Sequence, residues 1–198
     1  MKIIKPLLIA FEGIDGSGKT TVSRRLWTWL NENGNETVWL REPGDSIWGK
    51  KIRDLANHKE SIPIEEELNY FIEDRKINVK ENIKPALEQG KSVIVDRYYL
   101  SSACYQGARD GFDMFDIIQR NLEFAPEPDI TFIVDVDVDT ALARIRSSRE
   151  TEAKLFEKRE FLQKVRENYL RLKDDERIHI IDGTEDPDTV FKRICNFF

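Results

Sequence analysis

The octapeptide Gly13-Ile14-Asp15-Gly16-Ser17-Gly18-Lys19-Thr20 completes the pattern GxxxxGK[ST], and each residue type in it suits the binding of a phosphate chain. Glycine at positions 13, 16 and 18 lets the backbone curl until successive N–H groups point inward at an anion. A helix starting immediately behind the loop adds its positive N-terminal end. Lys19 supplies a mobile cation for the outer phosphates, and the Thr20 hydroxyl is a hard oxygen ligand for Mg²⁺. The alternative is a glycine turn that matches by accident. The flanking segments argue against it, because Pro6 to Phe11 reads as a short buried strand and Thr21 to Leu30 has helical spacing. Gly13, Ile14, Asp15, Gly16, Ser17, Gly18, Lys19, Thr20 and Thr21 are therefore the expected nucleoside-triphosphate set.

Other residue groups bear on what is done with the triphosphate. In Asp96-Arg97-Tyr98 an acid able to serve the metal shell adjoins an arginine able to grip a phosphate with two parallel N–H groups. Taken alone, that tripeptide is as much a structural signal as a functional one. Arg41-Glu42-Pro43-Gly44 places an arginine before a turn. Phe71 and Arg75 stand at i and i+4 in the helical stretch Ile64–Leu87, so they share a face. An aromatic there is ordinarily core, but a planar donor one turn along makes the pair suited to a nucleobase. The segment 144–158, RIRSSRETEAKLFEK, is dense in charge, with Arg144, Arg146 and Arg149 within six positions. Its plain reading is a solvated helix face; beside a phosphate loop it reads as a closing lid that carries cations.

Elements at fixed intervals must hold these groups. Five short apolar runs recur, Leu7–Glu12, Thr37–Glu42, Ser92–Asp96, Ile130–Asp135 and Ile178–Asp182, and most are separated by charged helical stretches. Uniformly apolar strands alternating with helices predict an α/β fold: a P-loop-type, five-stranded parallel sheet with helices on both faces, in three layers. Ligands then gather at the strands' carboxyl ends, where Glu12, Glu42, Asp96, Asp135 and Asp182 fall. The length of 198 residues suits one domain spanning 1–198, with no repeat or composition break. A formal charge of −6 and a pI near 5.2 argue against a nucleic-acid surface. Cys104 and Cys195 match no metal spacing and point to a reducing compartment. No 18-residue apolar stretch exists and the N-terminus does not read as a cleaved signal, so a soluble cytoplasmic protein without a membrane partner is expected.

In FEGIDGSGKTT, REPG, NYFIEDR, DRYYLSSACYQGA, PDITFIVDVDVDTALAR and FEKREFLQKVRENYLRL, taken in that order, the chain resembles the thymidylate kinases over essentially its whole length. The resemblance implies transfer of the γ-phosphoryl group of ATP to dTMP with Mg²⁺, by a homodimer. It implies that Phe71 stacks on thymine, that Arg75 donates to a base carbonyl, and that Arg41 and Arg97 clamp the acceptor phosphate. Asp15 would meet the sugar 3′-hydroxyl or the metal shell, Ser102 and Gln106 would lie near the base, and Tyr105 would crowd the 2′ position. Thr20 and Asp96 would serve the metal, Arg144 would lie with the ATP, and Lys19, Arg97, Arg146 and Arg149 would serve the transfer itself. Three departures stand out: Leu155 where the family often has an arginine before Phe-Glu, Gly16 where a family variant places an arginine in the loop, and Asp45 where a second glycine usually follows REPG. The transferring group's cation must then come from Arg144, Arg146, Arg149 or Lys154. The alternatives are a kinase for another pyrimidine nucleotide or a deoxynucleoside and, from another class, a non-catalytic nucleotide-binding regulatory module.

Overall fold

The computed structural model describes residues 5–58, 62–145 and 152–198, with side chains described outside 58 and 152–156. Five parallel strands stand in the order β2-β3-β1-β4-β5, where β1 is Leu8–Glu12, β2 Thr37–Arg41, β3 Ser92–Asp96, β4 Ile130–Asp135 and β5 Ile178–Asp182. The expected runs differ from these strands by at most one residue at an end. Alternate residues of β1 feed opposite cores. Leu8 and Ala10 join Val93, Val95 and Ile133 beneath one helical layer, while Ile9 and Phe11 join Ile94, Phe132 and Val134 beneath the other. A strand sandwiched in this way must be apolar throughout, which is why the alternation of a one-sided sheet is missing from the sequence.

Helix α1 (Lys19–Glu32) presents Val22, Leu26 and Leu30 to the second face at helical spacing, and α9 (Pro187–Cys195) adds Val190 and Ile194. Asp186 caps α9, accepting from the N–H groups of Asp188 and Thr189. On the other face lie α5 (Tyr99–Gln106), α7 (Val138–Ile145) and α8 (Glu152–Leu170). The expected helix 64–87 is realised as α3 (Ile64–Asn78), a π-helical turn at Val79–Ile83 and α4 (Lys84–Glu88). Pro85 has no N–H to give to a helical ladder, and the wider turn comes just before it. Helix α2 (Ile47–His58) packs on α3, and α6 (Met114–Leu122) completes a smaller cluster of Leu68, Ile72, Ala103, Met114 and Ile117.

Much of the expected lid 144–158 is helical, since residues 144–145 end α7 and 152–158 begin α8. The segment 146–151, with Arg146 and Arg149, lies outside the described residues, as do the side chains of Lys154 and Leu155. Helix α8 is tied down beyond it: Arg166 meets Asp135 through two parallel bonds of 2.7 and 2.8 Å, Asn168 donates to the Cys104 carbonyl at 3.1 Å, and Tyr169 is buried. No described helix is long and apolar enough to cross a membrane.

Candidate active site

The loop between β1 and α1 is shaped by steric necessity. Gly13 has φ 134°, and a Cβ there would lie 2.5 Å from the Val134 carbonyl oxygen; Gly16 has φ 83°, with the Ala141 carbonyl oxygen 2.4 Å from such an atom. Any side chain would push the loop off β4 and α7. Lys19 is buried and donates to the Ile14 carbonyl at 3.1 Å, so its ammonium is folded back across the loop it serves. Burial, followed by the neighbouring Arg97 charge, lowers the Lys19 amine to about 8 despite Asp15, Asp96 and Glu12 nearby. Thr20 donates its hydroxyl proton to Asp96 Oδ2 at 2.6 Å. The other Asp96 oxygen and the Ser17 hydroxyl are buried without a partner. Two hard oxygen groups beside a phosphate loop, with lone pairs unspent, fit a small hard cation such as Mg²⁺.

On one flank of the loop is a cavity of about 220 Å³, lined by Ser17, Gly18, Thr21, Val134 and Pro187 among others. Arg144 spans its edge, donating to the carbonyls of Gly16 and Ser17 at 3.3 Å and of Gly183 at 3.0 Å. That guanidinium is engaged with backbone oxygens at the loop's back.

On the other flank a cavity of about 300 Å³ runs between α2, α3 and α5, and Asp15, Phe71, Arg75, Arg97, Ser102, Tyr105 and Gln106 all line it. These residues come from four elements or loops and were expected together. Arg97 pairs with Asp15 and lies with its guanidinium 5.3 Å from the centre of the Tyr105 ring. Burial opposes both charges. Even so, Arg97 and Lys19 hold the Asp15 carboxyl below its ordinary range, and the oxygens of Tyr105 and Asp15 raise the Arg97 guanidinium. Lys158, on α8, adds to the field on Asp15 and was not foreseen. The Tyr105 hydroxyl accepts from the Asp15 N–H at 2.9 Å, which joins the cavity wall to the phosphate loop.

At the cavity floor Arg75 is 1% exposed and almost fully subscribed. It donates to Glu42 at 2.8 Å, Asn121 at 2.7 Å, the Tyr98 carbonyl at 3.2 Å and Ser102 at 3.1 Å, which leaves part of one terminal NH₂ for a ligand. Burial raises the Glu42 carboxyl, against which Arg75 and Asn78 work. Gln106 donates to Glu67 at 3.0 Å, and its amide oxygen is buried without a partner. Arg41 stands apart: its side chain is 55% exposed, its Nε is 4.0 Å from Asp96, and it does not line the cavity. Arg53 lines it instead, with one terminal nitrogen on the carbonyls of Pro43 at 3.2 Å and Gly44 at 2.6 Å. Nothing local marks out Arg53 on α2; only the packing of α2 on α3 brings it to the cavity wall, with its side chain still 41% exposed. Asp45 is fully exposed and 3.4 Å from Arg53, so its charge faces solvent at the cavity's rim.

The family model for thymidylate kinase matches residues 11–194. A probable thymidylate kinase of Archaeoglobus fulgidus is 42% identical over 179 residues, covering 90% of this chain and 88% of the relative. One of Thermococcus kodakarensis is 42% identical over 197 residues, covering 95% of each. The solved thymidylate kinase of Ehrlichia chaffeensis superposes with a TM-score of 0.77 at 34% identity, over 98% of both chains. With the family model matching residues 11–194 and relatives more than 40% identical over most of both chains, this chain belongs to the thymidylate kinase family.

Proposed function

We propose that the protein, read as one P-loop kinase domain, transfers the γ-phosphoryl group of ATP to dTMP, giving dTDP and ADP. The observation that carries this reading is the Asp15–Arg97 pair, which stands where the phosphate loop meets the arginine-lined cavity. An acceptor phosphate held by Arg97 and Arg53 would face the end of a triphosphate held by the loop amides and Lys19. Phosphoryl transfer asks the protein for alignment and charge neutralisation. The acceptor phosphate is anionic near neutral pH, so no general base is required.

The base end of the cavity suits a pyrimidine dione. Thymine presents a carbonyl, an N–H and a carbonyl along its edge. Arg75 has a donor to spare for a carbonyl, and Gln106 has an acceptor without a partner for the N–H. Cytosine would turn an amine toward Arg75 and a bare ring nitrogen toward Gln106, and both contacts would be repulsive. Phe71 stacks on the ring, a contact worth about 1–3 kcal/mol per base. Tyr105, pinned by Asp15, crowds the 2′ position.

Thr20 and Asp96 would hold Mg²⁺ together with the triphosphate oxygens, and the ion supplies neutralisation of charge on the phosphates. The adenosine end fits the 220 Å³ cavity beside Arg144 and Gly183. Of the cations in the charged segment, Arg146 and Arg149 are the ones expected at the transferring group; Arg149→Ala should lower kcat more than it raises KM. Resemblance to the family extends the reading to a homodimer, checked by sedimentation velocity. Both cysteines are free, in keeping with a reducing cytoplasm, which fractionation would check.

The deciding experiment is ADP release from Mg·ATP with dTMP, dUMP, dCMP, dGMP, UMP and thymidine as parallel acceptors. Preference for dTMP is expected, with dUMP slower because one methyl group discriminates by only about 1–3 kcal/mol. Preference for dCMP or dGMP would overturn the base pocket, and silence with all six would overturn the kinase.

A further inference from the structure

Glu12 ends β1, directly ahead of the phosphate loop, and is completely buried without lining the acceptor cavity. A carboxylate sealed from water is costly unless its lone pairs are filled. Four donors fill them. The N–H groups of Tyr98 and Ser101 reach Oε1 at 2.9 and 3.2 Å, and the hydroxyls of Ser101 and Tyr169 reach Oε2, the latter at 3.1 Å. Helix α5 lacks a side-chain cap from its own Tyr98, so Glu12 caps it from across the fold and sits at the positive end of its dipole.

Arg97 is the residue pinned between these contacts. Its φ of 68° is in the left-handed region, where a non-glycine side chain is strained and persists only when its surroundings over-determine it. Its own N–H donates to the Phe11 carbonyl at 2.9 Å, and the next N–H, of Tyr98, donates to Glu12. The last two residues of β1 therefore grip the backbone on both sides of Arg97. Ser101 extends the hold to the side chain: its hydroxyl donates to Glu12 and accepts from an Arg97 terminal nitrogen at 3.4 Å. Through Tyr169 the same carboxylate holds α8.

We propose that Glu12 is a positioning residue for phosphoryl transfer, fixing the strained Arg97 backbone and, through Ser101, the Arg97 guanidinium in the place that grips the acceptor phosphate. The proposal rests on the reading of Arg97 as a phosphate grip. Glu12 touches neither substrate; it acts by keeping the arginine, the end of β1 and α8 in register.

The test is steady-state kinetics with dTMP and Mg·ATP on Glu12→Gln, Ser101→Ala and Arg97→Ala, with each variant's folded fraction and melting temperature measured alongside. Glu12→Gln keeps the volume but removes the charge and one acceptor; it should raise the KM for dTMP at least tenfold while the KM for ATP stays within twofold. Ser101→Ala should raise the dTMP KM about threefold, again without moving ATP, and it keeps the proposal open to refutation if Glu12→Gln fails to fold. If both change only the melting temperature or the active fraction, with the dTMP KM per folded molecule intact, Glu12 is merely structural and the proposal falls. Arg97→Ala separates the two levels. A raised dTMP KM there with none in the other two leaves the phosphate grip standing and overturns the positioning role; an unchanged one overturns both.

Discussion

Lys19 carries a stability penalty that can be measured independently of catalysis. Burial brings its amine from the ordinary 10.5 down to about 8, so below pH 8 the folded chain must hold a charged ammonium that the unfolded chain hydrates freely. At about 1.4 kcal/mol per tenfold, charging Lys19 costs the folded state about 3 kcal/mol at pH 7. Its bond to the Ile14 carbonyl returns about 1 kcal/mol. Lys19→Met keeps the stem and removes the charge, so at pH 7 it should stabilise the ligand-free protein by about 2 kcal/mol, or about 4–8 °C in Tm for a chain of this size. The sign with pH follows from proton counting. Between pH 8 and 10.5 the unfolded state binds the proton and the native state has lost it, so wild-type stability rises with pH through this window relative to the variant. At pH 9.5 the charging cost falls to about 1.4 kcal/mol and the variant's advantage should nearly vanish. Calorimetry of both proteins at pH 7 and 9.5 without nucleotide reads this directly, and turnover with Mg·ATP and dTMP should meanwhile fall by orders of magnitude. A variant no more stable than wild type at pH 7, or an advantage that fails to shrink by pH 9.5, would refute the claim that the loop lysine is held against its solvation.

Arg75→Ala strands the buried Glu42 carboxylate and should destabilise the fold by about 3–5 kcal/mol, seen as a lowered denaturation midpoint; a loss under 1 kcal/mol would mean that water reaches the pair. Arg53→Ala should raise the dTMP KM at least tenfold and leave the ATP KM alone, and an unchanged acceptor KM would take Arg53 out of the phosphate site. Tyr105→Phe loses only the hydroxyl that anchors the Asp15 N–H, about 1 kcal/mol of stability, whereas Tyr105→Ala should also narrow the preference for dTMP over ribonucleotide acceptors. An acceptor profile in Tyr105→Ala identical to wild type would dismiss that ring as the 2′ gate.

What could be read in the sequence is what the chain does locally. The phosphate loop is eight consecutive residues whose backbone does the binding, so its glycines, Lys19 and Thr20 were identifiable without any partner from elsewhere. The five strands were legible because a parallel sheet buried on both faces demands unbroken apolar runs. Sharing one face of α3 is likewise a local feature, and it puts Phe71 and Arg75 in one cavity. What tertiary structure alone decided is how side chains far apart in sequence divide the work. Arg41 ends β2 and Arg53 is on α2, both partly exposed, and only the docking of α2 on α3 brings Arg53 to the cavity wall, which Arg41 does not line. Arg144 belongs to a charged run that reads as a lid, yet its two terminal nitrogens reach carbonyls of Gly16, Ser17 and Gly183, the last 39 residues away. Glu12 read simply as a strand end. Its role depends on α5 and α8 bringing donors 86 to 157 residues distant onto one carboxylate, and no local pattern encodes a contact whose two halves are individually unremarkable.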